Sequence, residues 1–243
     1  MTEHTFDRAP RTRLLRADDR RTTTDAVFDE LHDEIITLEL PPGTKLSEAD
    51  VARRFGVSRQ PVRDAFNRLS RMELLTVRPQ RATEVKGFSL ERIADARFIR
   101  LSVELEVLRQ ACVNWTAAKA RALDENVDQQ RRCVETSDPE TMRVLDYAFH
   151  RRICELADYP RAFEAIYAQK QKVERLCVLG FEKKSRELHL VLGDHERIAR
   201  ALKSKSFDRV EAATRKHLSR LDDTIADVHR AHAGYFEADA DAD

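Results

Sequence analysis

The sequence predicts a mainly α protein built in two parts, and three observations predict it. Only six glycines and seven prolines punctuate 243 residues, too few for the turns that large sheets need. Apolar residues recur at helical spacing along most of the chain, interrupted by one short β-branched stretch. Charge is unevenly placed: 43 Lys and Arg balance 43 Asp and Glu overall, yet Gly43 to Lys86 carries ten basic residues against five acidic ones. A neutral total excludes a chain that holds polyanions through bulk charge and leaves that segment as the candidate polyanion reader.

The elements follow from caps and periods. Residues 1–22 are expected as a disordered arm. A first helix over Thr24 to Thr37 carries the stripe Val27, Leu31, Ile35 and stops before Pro41-Pro42-Gly43. Ser47 opens a second through S-E-A-D, a capping-box pattern with Asp for the usual Glu, which ends at Gly56. Ser58 is expected to cap a third, with Pro61 tolerated in its first turn and Val62, Phe66, Leu69 and Met72 on its apolar side. Leu74 to Val77 and Thr83 to Val85 read as a hairpin around Arg78-Pro79-Gln80-Arg81. Three helices with a tight turn between the last two, then a basic-tipped hairpin, describe a winged helix-turn-helix over residues 23–86.

From Ser89 onward six segments each begin at a cap: Ser89 to Val113, Thr116 to Glu135, Asp138 to Ala157, Pro160 to Val178, Arg186 to Lys203 and Ser206 to Ala233. Short connections make these an antiparallel six-helix bundle over 89–233, and residues 234–243 are expected as a disordered tail. No run of roughly eighteen apolar residues occurs, and Met1 to Arg21 lacks an apolar core, so neither a membrane span nor a secretory leader is expected and the location is expected to be cytoplasmic. Cys112, Cys133, Cys154 and Cys177 lack C-x-x-C spacing and are expected as buried reduced thiols.

Two groups of residues carry chemistry. The start of the third helix presents Ser58, Arg59, Gln60 and Arg63 together, where a recognition helix meets base edges, and Arg53, Arg78 and Arg81 belong to the same basic segment. Any one of these arginines alone reads as a solvated surface residue; their clustering on one turn favours DNA. In the bundle, Asp146 and His150 lie four residues apart on one helical face, and His195 and His217 sit among apolar neighbours that turn them inward. Such a set suits zinc, nickel, manganese or iron, but helical histidines beside apolar residues are also common as hydrogen-bonded core residues, so spacing leaves both readings open.

Pro41-Pro42-Gly43-Thr44-Lys45-Leu46-Ser47-Glu48 and the run from Val51 to Ala65, with Gly56-Val57-Ser58-Arg59-Gln60-Pro61-Val62-Arg63 at its centre, resemble the GntR family of bacterial transcription regulators. The resemblance implies DNA contact by Ser58, Arg59, Gln60 and Arg63, with the wing on the minor groove. The sequence departs from the family pattern at Leu38 and in Met72-Glu73-Leu74, where the family usually has Gly before PPG and in E-G-L, and at Arg81-Ala82, where the wing normally carries Gly. Residues 89–233 look like the helical FCD domain of the FadR subfamily, on Arg100 to Glu104, D-x-x-x-H at Asp146 and His150, H-x-x-I-x-x-A-L from His195, and His217. That resemblance implies a divalent metal, zinc foremost, on those four positions. It also implies a small carboxylic acid effector whose carboxylate Arg100 binds; a salt bridge to Glu104 is the plainer role for Arg100.

The function expected is a homodimeric repressor on a short palindromic double-stranded DNA operator, controlled by the acid. A DNA-binding dimer with a purely structural bundle is the alternative. Catalysis is not expected, because no general base accompanies Asp146 and His150, and neither an E-x-x-H pair nor a nucleophile motif occurs.

Overall fold

The computed structural model describes residues 22–77, 82–181 and 185–237. The expected arm before Thr22, and the hairpin tip with Arg78 and Arg81, lie outside the described residues. The chain divides into two compact units, residues 1–86 and 87–243.

In the first unit, Thr22 and Asp25 form a reciprocal capping box that starts α1 (Thr23–Ile36), whose Val27, Leu31 and Ile35 are fully buried. Short β1 (Lys45–Leu46) leads into α2 (Glu48–Phe55), which ends on left-handed Gly56 at φ +67°. A side chain would be strained there. The three-residue turn through Ser58 opens α3 (Arg59–Arg71), and β2 (Leu75–Thr76) and β3 (Thr83–Val85) follow. The sheet has three antiparallel strands in the order β1-β3-β2, with Leu46 opposite Thr83 and Leu75 opposite Val85. β1 is an addition to the expected hairpin: two residues are too short to show a period.

Two local expectations change. Ser58 occupies the N-cap of α3 without a side-chain cap bond, because the third helical residue is Pro61, which has no N–H to offer. At α2, Ser47 accepts from the Asp50 N–H at 3.4 Å, but the Asp50 carboxylate turns to Arg53 at 2.8 Å, so the box is only half made.

The second unit holds α4 (Leu90–Asn114), α5 (Ala117–Thr136), α6 (Pro139–Leu156), α7 (Ala162–Phe181), α8 (Ser185–Lys203) and α9 (Phe207–Ala231). Ser89, Thr116 and Asp138 each cap the helix they precede, and Pro139 fills the first position of α6. α4 packs on α7 and α9, α5 on α6 and α8, and α8 on α9, around Trp115, Leu123, Met142, Phe149 and Ile166. No helix among the described residues is long and apolar enough to cross a membrane. The cysteines are free thiols, three of them buried.

The tail expected to be disordered from 234 is instead held as far as 237. A 3₁₀ turn over Ala233–Tyr235 brings Phe236 beside Phe88, with ring centroids 5.2 Å apart. The Phe88 N–H donates to Tyr235 O and the Glu237 N–H to Phe88 O, both at 2.8 Å. Two aromatics supply the apolar area that the acidic residues after them lack. Residues 238–243 lie outside the described residues.

Leu38 and Glu73, which stand where the family pattern carries glycine, both adopt left-handed backbone, at φ +63° and +60°. The geometry is therefore retained without the residue that suits it. Glu73→Gly is expected to exceed Glu73→Ala in stability by about 1 kcal/mol in urea unfolding, since both variants lose the carboxylate and only Gly relieves the backbone. Equal stability of the two would show that the left-handed turn carries no strain.

Candidate functional site

Amphipathicity sets the exposed site. α3 buries Val62, Ala65, Phe66 and Leu69 against the first unit's core, which turns Arg59, Gln60 and Arg63 of its first turns, with Ser58 before them, to solvent. Arg63 grips Glu48 through two bonds, Nε to Oε1 at 3.1 Å and Nη2 to Oε2 at 2.9 Å. These bonds hold the Glu48 carboxyl below its usual range. Gln60 donates to Asp64 at 3.0 Å, and exposed Arg53 pairs with Asp50. Arg59 is exposed and acts on Glu48 only through its charge. The helix end thus presents cations and amide groups beside the N–H groups that begin a helix, an arrangement suited to phosphate and base edges.

The second site is buried. Asp146 and His150 project from α6 one turn apart, and His195 from α8 and His217 from α9 meet them. One ligand atom from each of the four lies within 4.8 Å of all the others. His195 is fully buried, His150 and His217 nearly so. Asp146 Oδ1 lies 3.4 Å from His195 Nε2 and 3.8 Å from His150 Nε2. The His195 ring stacks on Phe149 at 4.0 Å.

Each imidazole is also set from behind. His150 turns Nδ1 to Glu104 Oε2 at 3.2 Å. His195 Nδ1 meets Gln130 Oε1 at 2.7 Å, and Gln130 in turn donates to Asn126 at 2.7 Å. His217 Nδ1 faces Asp194 at 3.8 Å, beyond hydrogen-bond reach, while Arg197 and Arg220 pair with that fully buried carboxylate. Burial pushes His195 well below its usual range and, against the pull of Asp194, lowers His217 to about 4. Both rings are therefore uncharged near neutral pH, the state in which imidazole binds a metal.

A divalent ion fits this donor set. His195 Nε2 is a buried nitrogen with no hydrogen-bond partner among the described residues, 3.4 Å from a carboxylate oxygen of Asp146. Three imidazoles and one carboxylate form a donor set that suits zinc and equally nickel, manganese or iron.

Beside the cluster lies a cavity of about 110 Å³. Asp146 and His217 of the cluster line it, Arg100, Lys170 and Gln169 supply further polar wall, and Met142, Val173 and Leu221 supply apolar wall. Arg100 takes the plainer role weighed for it, donating from Nε to Glu104 at 2.6 Å, and also places Nη2 3.1 Å from His150 Nε2 while lining the cavity. Burial would raise the Glu104 carboxyl, but the charges of His150 and Arg100 outweigh it and hold the group well below its usual range.

The structure thus brings together all four expected ligand residues and Arg100. It adds Lys170, Gln130 and Asp194, and gives Glu104 a second partner. The Lys170 ammonium pairs with the second Asp146 oxygen, Oδ2, and lies over the Tyr147 ring at 3.8 Å; burial lowers it to about 8. Sequence carried a faint signal for these: Lys170 falls among Ile166 and Val173, and Gln130 among Val127 and Val134, on apolar stripes where a charged or amide side chain needs a partner.

Residues 23–85 match the model of the bacterial regulatory proteins of the gntR family, and residues 95–220 match the FCD domain. The HTH-type transcriptional repressor RspR of Escherichia coli strain K12 is 32% identical over 210 residues, covering 86% of this chain and 92% of the relative. The gluconate operon transcriptional repressor of Bacillus subtilis strain 168 is 22% identical, over 82% of this chain and 83% of its own. Among solved structures, E. coli McbR/YncC aligns with a TM-score of 0.68 at 22% identity, over 87% of this chain and 99% of that one, a likeness of fold.

Because Gln130 satisfies two buried groups at once, Gln130→Leu is expected to cost about 1–3 kcal/mol in urea unfolding, with His195 Nδ1 and Asn126 Oδ1 both losing a partner. Exposed Glu125→Ala, one helix turn away, should stay within about 0.5 kcal/mol of the wild type. A Gln130→Leu protein as stable as the wild type would remove Gln130 from any part in holding the cluster.

Proposed function

The chain belongs to the GntR family of DNA-binding transcriptional regulators, with an FCD domain as its second part, and from that premise we propose a repressor that releases DNA when a small carboxylic acid enters the bundle. The observation that carries this reading is the joining of two features in one place. Four candidate ligand residues converge, two of them, Asp146 and His217, line a cavity, and the buried cation Arg100 lines the same cavity. A bound divalent ion would supply an electrophilic centre for a carboxylate oxygen. Asp146, His150, His195 and His217 would hold the ion; Glu104, Gln130 and Asp194 orient the imidazoles; Arg100 would take the second carboxylate oxygen.

On the DNA side, Arg59 and Arg63 would read guanine edges in the major groove, with Gln60 beside them, and the Ser58 hydroxyl, which no cap bond engages, would meet phosphate. Arg63 must trade its bonds to Glu48 for those to DNA. Arg53 would add a phosphate contact, and Arg78 and Arg81 would do so from the wing. A homodimer is supported by one face of α4, where Phe98 and Val113 are 73% and 76% exposed and Ile99 accompanies them. Two copies would set two recognition helices on a palindrome. The acid acts by favouring one arrangement of the dimer over the other, and it moves the equilibrium only by that difference in affinity. The location proposed is cytoplasmic, and no catalysis is proposed.

One observation favours the rival in which the histidines are purely structural: Lys170 already neutralises Asp146. Fluorescence anisotropy on duplexes selected from a random pool separates the two. Zinc-loaded wild type should bind its selected site and be released by an acid from a small carboxylate panel, whereas Arg59→Ala should lose roughly 5- to 150-fold on that site and little on unrelated DNA. Equal loss on every sequence would confine Arg59 to phosphate. A complex indifferent to every acid would favour the structural bundle.

A further inference from the structure

Lys170 lines the cavity and takes its counter-charge from one of the four clustered residues themselves. Its ammonium pairs with Asp146 Oδ2, while Oδ1 of the same carboxylate faces His195 and His150. The side chain is only 8% exposed, so bulk water offers little replacement for that partner. Glu174, one turn further along α7, is already engaged: it accepts from Tyr147 Oη at 2.7 Å and faces Arg143 at 3.8 Å. An ion that takes up Asp146 therefore leaves an ammonium with three donors, on a cavity wall, without its ion-pair partner, while the charge of the already engaged Glu174 still acts on it.

We propose that Lys170 is a specificity-determining group and that the acid taken by this cavity is a short dicarboxylate, one carboxylate at the Asp146–histidine end with Arg100 and the other on the Lys170 ammonium. The proposal rests on the metal-and-acid reading above and names the acid's class. Space agrees with it. At roughly 10–15 Å³ for each water-sized occupant, a cavity of about 110 Å³ holds roughly seven to eleven non-hydrogen atoms, which a dicarboxylate of about four or five carbons fills. The wall agrees as well: Met142, Val173 and Leu221 offer apolar surface to a short methylene chain, and Gln169 Oε1, buried without a partner, can accept from a hydroxyl carried on it. A monocarboxylate of the same length would place a methyl group against the ammonium and leave it unpaired.

The test is calorimetric titration of the zinc-loaded full-length protein with succinate and with butyrate, which match in chain length and differ in the second carboxylate. The wild type should bind succinate at least about tenfold more tightly, the worth of one charge-assisted hydrogen bond. Lys170→Gln should bring succinate down to about the affinity of butyrate and leave butyrate within about threefold, while Lys170→Arg should retain the preference. A second readout needs no acid: Lys170→Gln should bind zinc more tightly than the wild type, since no internal cation competes for Asp146. Butyrate binding as tightly as succinate, or Lys170→Gln weakening both alike, overturns the assignment of Lys170 and leaves the metal-and-acid reading standing. Binding of neither acid to the zinc-loaded wild type overturns that reading, and the assignment of Lys170 falls with it.

Discussion

Three buried imidazoles and one carboxylate share the inside of a helical bundle, and every helix of the second unit brings a polar group to them. Buried polar groups without partners are costly, and His150 Nδ1 is met by Glu104 and His195 Nδ1 by Gln130, each from another helix. Glu104 comes from α4, Gln130 and Asn126 from α5, Asp146 and His150 from α6, Lys170 from α7, Asp194 and His195 from α8 and His217 from α9. Every helix of the bundle contributes to one polar network. A slip of any helix along its axis would leave a charge or an imidazole unpaired, so the network fixes the register that leucine and valine packing alone would leave loose.

The exposed site obeys the opposite economy. Its residues are held out by what lies behind them: Val62, Ala65, Phe66 and Leu69 fix one side of α3 in the core, and Ser58, Arg59, Gln60 and Arg63 are left on the other. The tight turn after α2 depends on Gly56, where positive φ comes without strain, and Pro61 leaves Ser58 uncapped. Partners on this face, such as Glu48 for Arg63, are solvent-exposed and therefore cheap to exchange. A ligand such as DNA can replace them without opening any core.

Helices and their caps were legible in the sequence because both are local: a stripe at i, i+3, i+4 and a Ser, Thr or Asp before it suffice, as at Ser89, Thr116 and Asp138. What depended on distant partners was not. β1 exists because β3 lies beside it, and residues 234–237 are ordered because Phe88 waits 148 positions earlier for Phe236. In the site, Asp146 and His150 could be paired from spacing, whereas Gln130 and Lys170 belong to no motif and acquire their part only where α5 and α7 bring them against His195 and Asp146. The family resemblance added the four-residue grouping that spacing left open, and it also marked Leu38 and Glu73 as departures, which the backbone turns out to absorb at positive φ.

The central claim, that the four-residue cluster is a metal cage, meets its most direct test in the metal content of full-length protein loaded with zinc and dialysed exhaustively. The account predicts one tightly held ion per chain, and its loss from a His195→Ala protein that circular dichroism finds helical. A wild type that retains no ion, or a His195→Ala protein that retains as much as the wild type, would contradict it.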